Sequence, residues 1–311
     1  MSKIKVIIDT DPGNDDLLAI VMALNSSKLD LLGLTVVGGN ATIEDTTNNA
    51  LSILTYMKRT DIPVYIGDPS ALNEKFTTQE EVDEFNSHRS RIHGVRGLHV
   101  DLPKPSISAE KDHAVDFIIQ QAQANKNELI LVPIGPLTNI ALAIKKEPNL
   151  KNWIKSIHVM GGAVTVPGNV TPHAEFNIYC DPVAANEVFS SGIDIKLCGL
   201  DITQQTSIGK QETNWLKGNS IGEILIKDLM KNLYINDPSR NSFSLHDPIT
   251  VLSLIHPEII DWKKSAIEVI ADQFEFGRTI DTDDPDGSVS IAINIQQEVA
   301  KDKIAQMIGA I

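Results

Sequence analysis

Val6-Ile-Ile-Asp9-Thr-Asp11-Pro-Gly-Asn-Asp15-Asp16-Leu-Leu-Ala-Ile20 is the stretch around which the rest of the chain is organised. Ile4 to Ile8 form a short β-branched run that reads as a buried strand. Leu17, Leu18, Ile20, Val21 and Leu24 then recur at helical spacing. Pro12 suits a first helical turn, where its missing N–H costs nothing, and Gly13 permits a sharp entry. The layout is strand, acidic turn, helix. Open α/β sheets bind ligands beyond the carboxyl ends of their strands, and this turn occupies such a place.

Asp9, Asp11, Asp15 and Asp16 fall within eight residues. Carboxylates this close raise one another's pKa unless a positive charge sits among them. Helix capping accounts for one or two of them, since Asp near a first turn complements the helix dipole. It does not account for four. A hard-cation site does, because Ca²⁺ and Mg²⁺ take carboxylate and carbonyl oxygens. A bare phosphate would be repelled here.

Composition sets the outer limits. With 311 residues the chain can bury a sizeable core, and 42% hydrophobic with 5% aromatic residues is ordinary for a globular protein. A net charge of −14 argues against nucleic acid or an anionic membrane as partner. No apolar run reaches transmembrane length, and Met1 to Lys5 lack the pattern of a signal peptide. Cys180 and Cys198, with no CxxC, predict free thiols in a cytoplasmic protein.

Along the chain, Leu29 to Val37 reads as a second strand ending at Gly38-Gly-Asn40, Ile43 to Met57 as a helix and Val64 to Ile66 as a short strand. Residues 68–108 lose periodicity and carry His88, His93 and His99, the pattern of a mobile lid, with a short helix around Glu80 to Phe85. Alternation resumes with a helix over Asp112–Ala124 and a strand over Leu129–Ile134, then the turn Gly135-Pro-Leu-Thr-Asn139 and the helical Ile140 to Lys145. A strand over Ile157–Met160 follows, then polar residues to Asn177, a helix over Pro182–Ser190 and a strand over Ile193–Cys198. Beyond Gln211 the pattern is mainly helical, with a late strand pair at Ala266–Ile270 and Ser288–Ile293. Repeated strand–helix units without a linker predict one α/β domain over 1–311, a mostly parallel, Rossmann-like sheet flanked by helices.

In such a sheet the strand ends share one edge, so polar residues far apart in sequence converge there. Asp9 to Asp16, Asn40, Gly135, Met160 and then Asn169, Glu175 and Asn177 all follow strands. Singly, Asn and Glu after strands are mostly turn formers. Their coincidence points to a site. His246-Asp-Pro248 precedes another apolar helix, where Asp247 is either an N-cap with Pro248 at the first position or a further carboxylate for the cation, with His246 as proton donor or orienter.

These motifs, together with Ala174-Glu-Phe-Asn177 and Gly277-Arg-Thr-Ile-Asp281, resemble the inosine–uridine-preferring nucleoside hydrolase family, in family order across nearly the whole chain. The resemblance implies Ca²⁺-dependent hydrolysis of the N-glycosidic bond of ribonucleosides to ribose and free base, in nucleoside salvage. It implies Asp11, Asp16, Asp247 and the backbone carbonyl of Ile134 as ligands of the ion, an all-oxygen set suited to Ca²⁺. It makes Asp11 the general base as well. Asp15, Asn40, Asn169, Glu175 and Asn177 would bind the ribose, with Met160 nearby. His246 and the lid residue His93 would serve the leaving base, Phe176 would pack on it or fill core, and Tyr234 stands where some members place an aromatic over the base. His93 beside Ile92 tilts the expected substrate toward pyrimidine nucleosides; a purine or broad specificity is the alternative. Family members are commonly homodimers or homotetramers.

Two other classes compete. Haloacid-dehalogenase-type phosphotransferases also carry Asp-x-Asp after a first strand, but follow it with Gly-Thr or Gly-Val rather than Pro-Gly-Asn-Asp. A catalytically silent nucleoside-binding protein would have no need of both Asp11 and Asp247.

Overall fold

In the computed structural model, residues 2–69, 71–72, 79–212 and 215–309 are described. The strands are β1 Ile4–Thr10, β2 Leu29–Val36, β3 Val64–Ile66, β4 Ile130–Pro133, β5 Ser156–Met160, β6 Ile195–Cys198, β7 Ser207–Gly209, β8 Ser242–Ser244, β9 Ile260–Ser265, β10 Ile267–Val269, β11 Thr279–Asp281 and β12 Val289–Ile295. The helices are α1 Asn14–Asn25, α2 Ile43–Tyr56, α3 Gln79–His93, α4 Ala114–Ala124, α5 Thr138–Lys146, α6 Phe176–Cys180, α7 Pro182–Phe189, α8 Leu200–Thr203, α9 Ile221–Asn236, α10 His246–Ile255 and α11 Gln297–Ile308.

Among the described residues eight strands form the central sheet, in the order β3-β2-β1-β4-β5-β6-β12-β9. All its pairings are parallel except β12 with β9. Alternation along β1 sorts its side chains onto two faces. Val6 and Ile8 join a buried cluster with α1, α2, α10 and α11, while Ile7 joins another with α4, α5 and α7. Both faces are thus covered, which is why the parallel strands read as near-continuous apolar runs. The single mostly parallel α/β domain expected from the alternation is what the chain forms.

The strand order reverses between β1 and β4, and at such a switch point the loops leaving the two strands diverge and open a cleft. The acidic turn leaves β1 on one side of it, and Ile134-Gly135 leaves β4 on the other.

Several local expectations change. Pro12 lies before α1, and Gly13 is the N-cap. The segments expected as a late strand pair do not pair with each other: β10 pairs with β11, while β12 enters the main sheet between β6 and β9. β9, Ile260-Asp-Trp-Lys-Lys-Ser265, is a charged edge strand, which masks the usual apolar alternation. β7 pairs antiparallel with β8 across α9, and β8 lies inside the region read as helical. The acidic part of segment 68–108 is a helix of 15 residues, α3, longer than expected; residues 70 and 73–78 of that segment lie outside the described residues. Among the described residues no helix is long and apolar enough to cross a membrane.

Candidate active site

α1 and α10 pack side by side, and this contact brings their first turns together. Asp15 and Asp16 stand in the first turn of α1, Asp247 in that of α10. Asp247 does not cap its helix: the N-cap is Leu245, with no side-chain cap bond. The carboxylate is left for other work. Oxygens of Asp15, Asp16 and Asp247 all lie within 4.8 Å of one another. Helix N-termini carry partial positive charge, so both helices favour anionic groups at this point.

Asp11 lies beside them, wholly buried in the turn after β1. Its Oδ2 accepts from the backbone N–H of Asn40 at 2.7 Å, while its Oδ1 is buried without a hydrogen-bond partner. An orphaned buried carboxylate oxygen is costly unless something absent from the protein chain fills its place. Asp16 is better satisfied: Oδ1 accepts from Thr10 Oγ1 at 2.6 Å, and Oδ2 from the Gly13 N–H and from Asn40 Nδ2. Asn40 therefore ties the Asp11 and Asp16 carboxylates to the end of β2.

Loss of water pushes all these acids up. Asp15 and Asp16 rise to about 6, and Asp11 and Asp247 are raised further, first by burial and then by the charges of the neighbouring acids. Asp9, one layer below, rises to about 7 through burial, against hydrogen bonds from Thr35 Oγ1 and Asn139 Nδ2. Opposing positive charge reaches the cluster from Arg240, which acts on Asp15, and from Arg89, which feels Asp11. A buried all-oxygen cluster carrying excess negative charge and an unsatisfied oxygen suits a divalent hard cation.

A cavity opens directly on the cluster. Asp15, Asn40, Ile134, Met160, Asn169, Glu175, Phe176, Asn177, His246 and Asp247 line it, and so does His93. Of the residues singled out in the sequence, Asp11 and Asp16 lie beneath this surface. Asn177 Nδ2 donates to the carbonyls of Ile134 at 3.0 Å and Met160 at 3.2 Å, fixing both strand ends. Glu175 caps α6 and accepts from the Gly162 and Ile178 N–H groups; burial raises its carboxyl. Asn169 Oδ1 accepts from the Phe176 N–H at 2.9 Å.

Arg89, Ile92 and His93 bring segment 68–108 to the same cavity. Phe85 of α3 stacks on Phe176 with ring centroids 5.7 Å apart. Asn14, in the acidic turn, receives the His99 N–H, donates to the Ile92 carbonyl, and offers its own N–H to His93 Nδ1 at 3.4 Å. Gly13 is required below: a Cβ there would meet His93 Nδ1 at 2.5 Å. On the opposite rim His246 Nδ1 lies 2.8 Å from Thr203 Oγ1, and burial pushes its imidazole down to about 4.

Tyr234 is the exception among the expected residues. It does not line this cavity. It faces β7, its hydroxyl donating to the Ile208 carbonyl at 3.2 Å and its ring beneath Lys210. Asp15 shifts too, for it joins Asp16 and Asp247 in the tightest carboxylate group while still facing the cavity. Arg89, Arg240, Ser242 and Ser244 line the cavity without having been singled out in the sequence. The polar spacing of two in Arg240, Ser242, Ser244 and His246 was the available signal.

Residues 6–306 match the sequence model of the family described as inosine-uridine preferring nucleoside hydrolase. The chain is 36% identical over 282 residues to uridine nucleosidase 1 of Arabidopsis thaliana, covering 89% of this chain and 81% of the relative. It is 40% identical over 262 residues to the pyrimidine-specific ribonucleoside hydrolase RihA of Shewanella baltica strain OS185, covering 82% and 79%. Its fold is similar to the solved structure of a purine-preferring ribonucleoside hydrolase from Gardnerella vaginalis, with a TM-score of 0.88 and 33% identity over 98% of each chain.

Proposed function

The chain belongs to the inosine-uridine preferring nucleoside hydrolase family and is a ribonucleoside hydrolase, and from that premise we propose that it is a Ca²⁺-dependent enzyme of nucleoside salvage that prefers pyrimidine ribosides. The observation that carries the site assignment is the buried, unpartnered Oδ1 of Asp11 among three further carboxylates beneath a cavity lined by amides. Asp11, Asp16, Asp247 and the Ile134 carbonyl would hold the ion, and Asp15 is close enough to share in it. Bound there, Ca²⁺ supplies the positive charge that makes a water acidic at neutral pH and organises the sugar diol.

The chain's own residues do the rest. Asn40, Asn169, Glu175 and Asn177 hold the ribose hydroxyls, and Met160 packs against the sugar. Asp11 takes the proton of the water that attacks the anomeric carbon, as a general base within hydrogen-bond reach of it. The C–N bond weakens toward an oxocarbenium-like sugar, which the surrounding anionic oxygens favour. His246, kept neutral by burial and fixed by Thr203, faces the departing base together with His93. Segment 68–108 serves as the lid that excludes water, with the Phe85–Phe176 stack as one of its seats.

Support for a pyrimidine base comes from the two relatives named for uridine and pyrimidine ribosides. The purine-preferring solved structure of the same fold keeps a purine or broad specificity as the second reading. A cytoplasmic homodimer or homotetramer belongs to the same proposal, and light scattering behind size exclusion tests the assembly. The deciding experiment is reducing-sugar release from inosine, adenosine, guanosine, uridine, cytidine and their 2′-deoxy forms. Fast hydrolysis of the pyrimidine ribosides with slow deoxyribosides supports the reading. Faster purine ribosides reverse the base preference, and no release from any of them leaves a nucleoside-binding protein.

A further inference from the structure

Arg240, Ser242, Ser244 and His246 all line the cavity, at a constant spacing of two, along the chain that passes through β8 into α10. Ser242 and Ser244 share a side of β8, and with Arg240, Phe243 and His246 they form a mostly polar wall of the cavity. Arg240 is the permanently charged member of this wall. Its Nε is buried without a hydrogen-bond partner, and the side chain as a whole is only 22% exposed. The Asp237 carboxylate, at 3.6 Å from Nε, is an ion-pair partner beyond hydrogen-bonding distance. A guanidinium always carries its charge and has donors but no acceptor. Holding one here, short of partners, is costly unless a ligand with acceptor oxygens completes it.

The reaction decides where such a charge is useful. When the glycosidic bond breaks, the sugar becomes cation-like, so a nearby arginine would hinder that half of the substrate. The bonding pair goes to the base nitrogen, and conjugation spreads it onto the carbonyl oxygens of the base. The water oxygen bonds to the anomeric carbon, its proton passes to Asp11, and the base anion takes up a proton after leaving. Negative charge therefore appears on the base alone.

Resting on the hydrolase reading, we propose that Arg240 stabilises the departing nucleobase, its guanidinium donating to a carbonyl oxygen of the base as negative charge develops there. Preorganised charge of this kind, aimed at the transition state, is worth about a hundredfold or more in rate. The enzyme thereby favours bases with a carbonyl conjugated to the glycosidic nitrogen, as in uracil.

The test compares the wild-type enzyme with Arg240→Met on uridine and on para-nitrophenyl riboside, whose leaving group is stable as an anion without help. The expected result is a loss in kcat of about a hundredfold on uridine and little change on the nitrophenyl riboside. Arg240→Lys, which keeps a charge, should recover part of the uridine rate. Equal losses on both substrates would make Arg240 a structural residue and overturn the proposal. So would a loss seen only with uridine 5′-monophosphate, which would make it a phosphate binder. If Arg240→Met fails to fold by circular dichroism, the Arg240→Gln and Arg240→Lys pair decides by the same ratio. Wild-type protein that releases no sugar from any riboside sinks the hydrolase reading itself, a result distinct from equal losses in an active enzyme.

Discussion

Gly39 stands so close to Asp11 that a Cβ at position 39 would lie 2.0 Å from Oδ2 of the carboxylate. The same oxygen accepts the Asn40 N–H, so it cannot retreat without giving up that bond. Gly135 presses from the other side, where a Cβ would lie 2.6 Å from Oδ1. Gly39→Ala should therefore displace Asp11, the proposed general base, while leaving the sheet intact. Activity on uridine should fall about a hundredfold, as expected for a small misplacement of a catalytic group. Wild-type turnover in a folded Gly39→Ala protein would show that the position of Asp11 is not critical.

Asp11→Asn keeps the shape of the side chain and removes its capacity to accept a proton. Turnover should fall by about a thousandfold, within the range for loss of a general base. Thermal stability should hold or rise in metal-free protein, since one of several repelling buried charges disappears. Steady-state kinetics with a parallel melting curve checks both. Near-normal turnover would refute the base assignment.

Removing the divalent ion should lower stability and activity together. The acids of the cluster repel one another in its absence, and a ligand bound only by the folded state stabilises by about 2.7 kcal/mol at a hundred times its Kd. We expect exhaustive chelation to lower Tm and abolish sugar release, and added Ca²⁺ to restore both. Fully active protein with no stoichiometric divalent ion by elemental analysis would remove the metal from the mechanism.

His158 predicts an acid-sensitive core. It is buried on β5 against Ser253 Oγ at 2.8 Å, and burial, with Lys196 and Lys155 nearby, pushes its imidazole down to about 3. The unfolded chain protonates this residue near 6.5, so between those values the unfolded state binds the extra proton. Its contribution is intact above pH 6.5 and is lost as pH falls toward 3, on the order of 5 kcal/mol in all. Raised groups such as Asp9 work in the opposite direction, so the useful quantity is a difference between variants. Urea midpoints of His158→Gln should fall less steeply than wild type from pH 7 to 4.5. Parallel slopes would clear His158 of the effect.

Phe85→Ala removes the ring that stacks on Phe176. If α3 is part of a lid, KM for nucleosides should rise several-fold, with a smaller change for the stability of the sheet. An unchanged KM would mean that this contact does not serve closure.

The β1–α1 unit was legible because its apolar spacing changes from strand to helix across a turn with more acids than helix capping uses. Asn40, Met160, Glu175 and Asn177 were legible for a related reason: a parallel sheet gathers its strand ends on one edge, and these residues end strands or come in the segments after them. β9 was not, because an edge strand carrying Asp261, Lys263 and Lys264 hides its period. Tyr234 was expected at the base only through the family resemblance. Helix rotation, set by packing, turns it to Ile208 rather than to the cavity.

By itself the sequence determined the family, the parallel sheet and the identity of the carboxylates, since these are written in local patterns of polarity and in motifs. It did not decide which of those acids would be neighbours. Packing of α1 against α10 placed Asp15 and Asp16 beside Asp247, and the tertiary fold left Asp11 Oδ1 without a partner and brought Arg240 to the cavity. Such contacts join residues more than two hundred positions apart, and their distances are set by how side chains fill the space between helices, which no local spacing encodes.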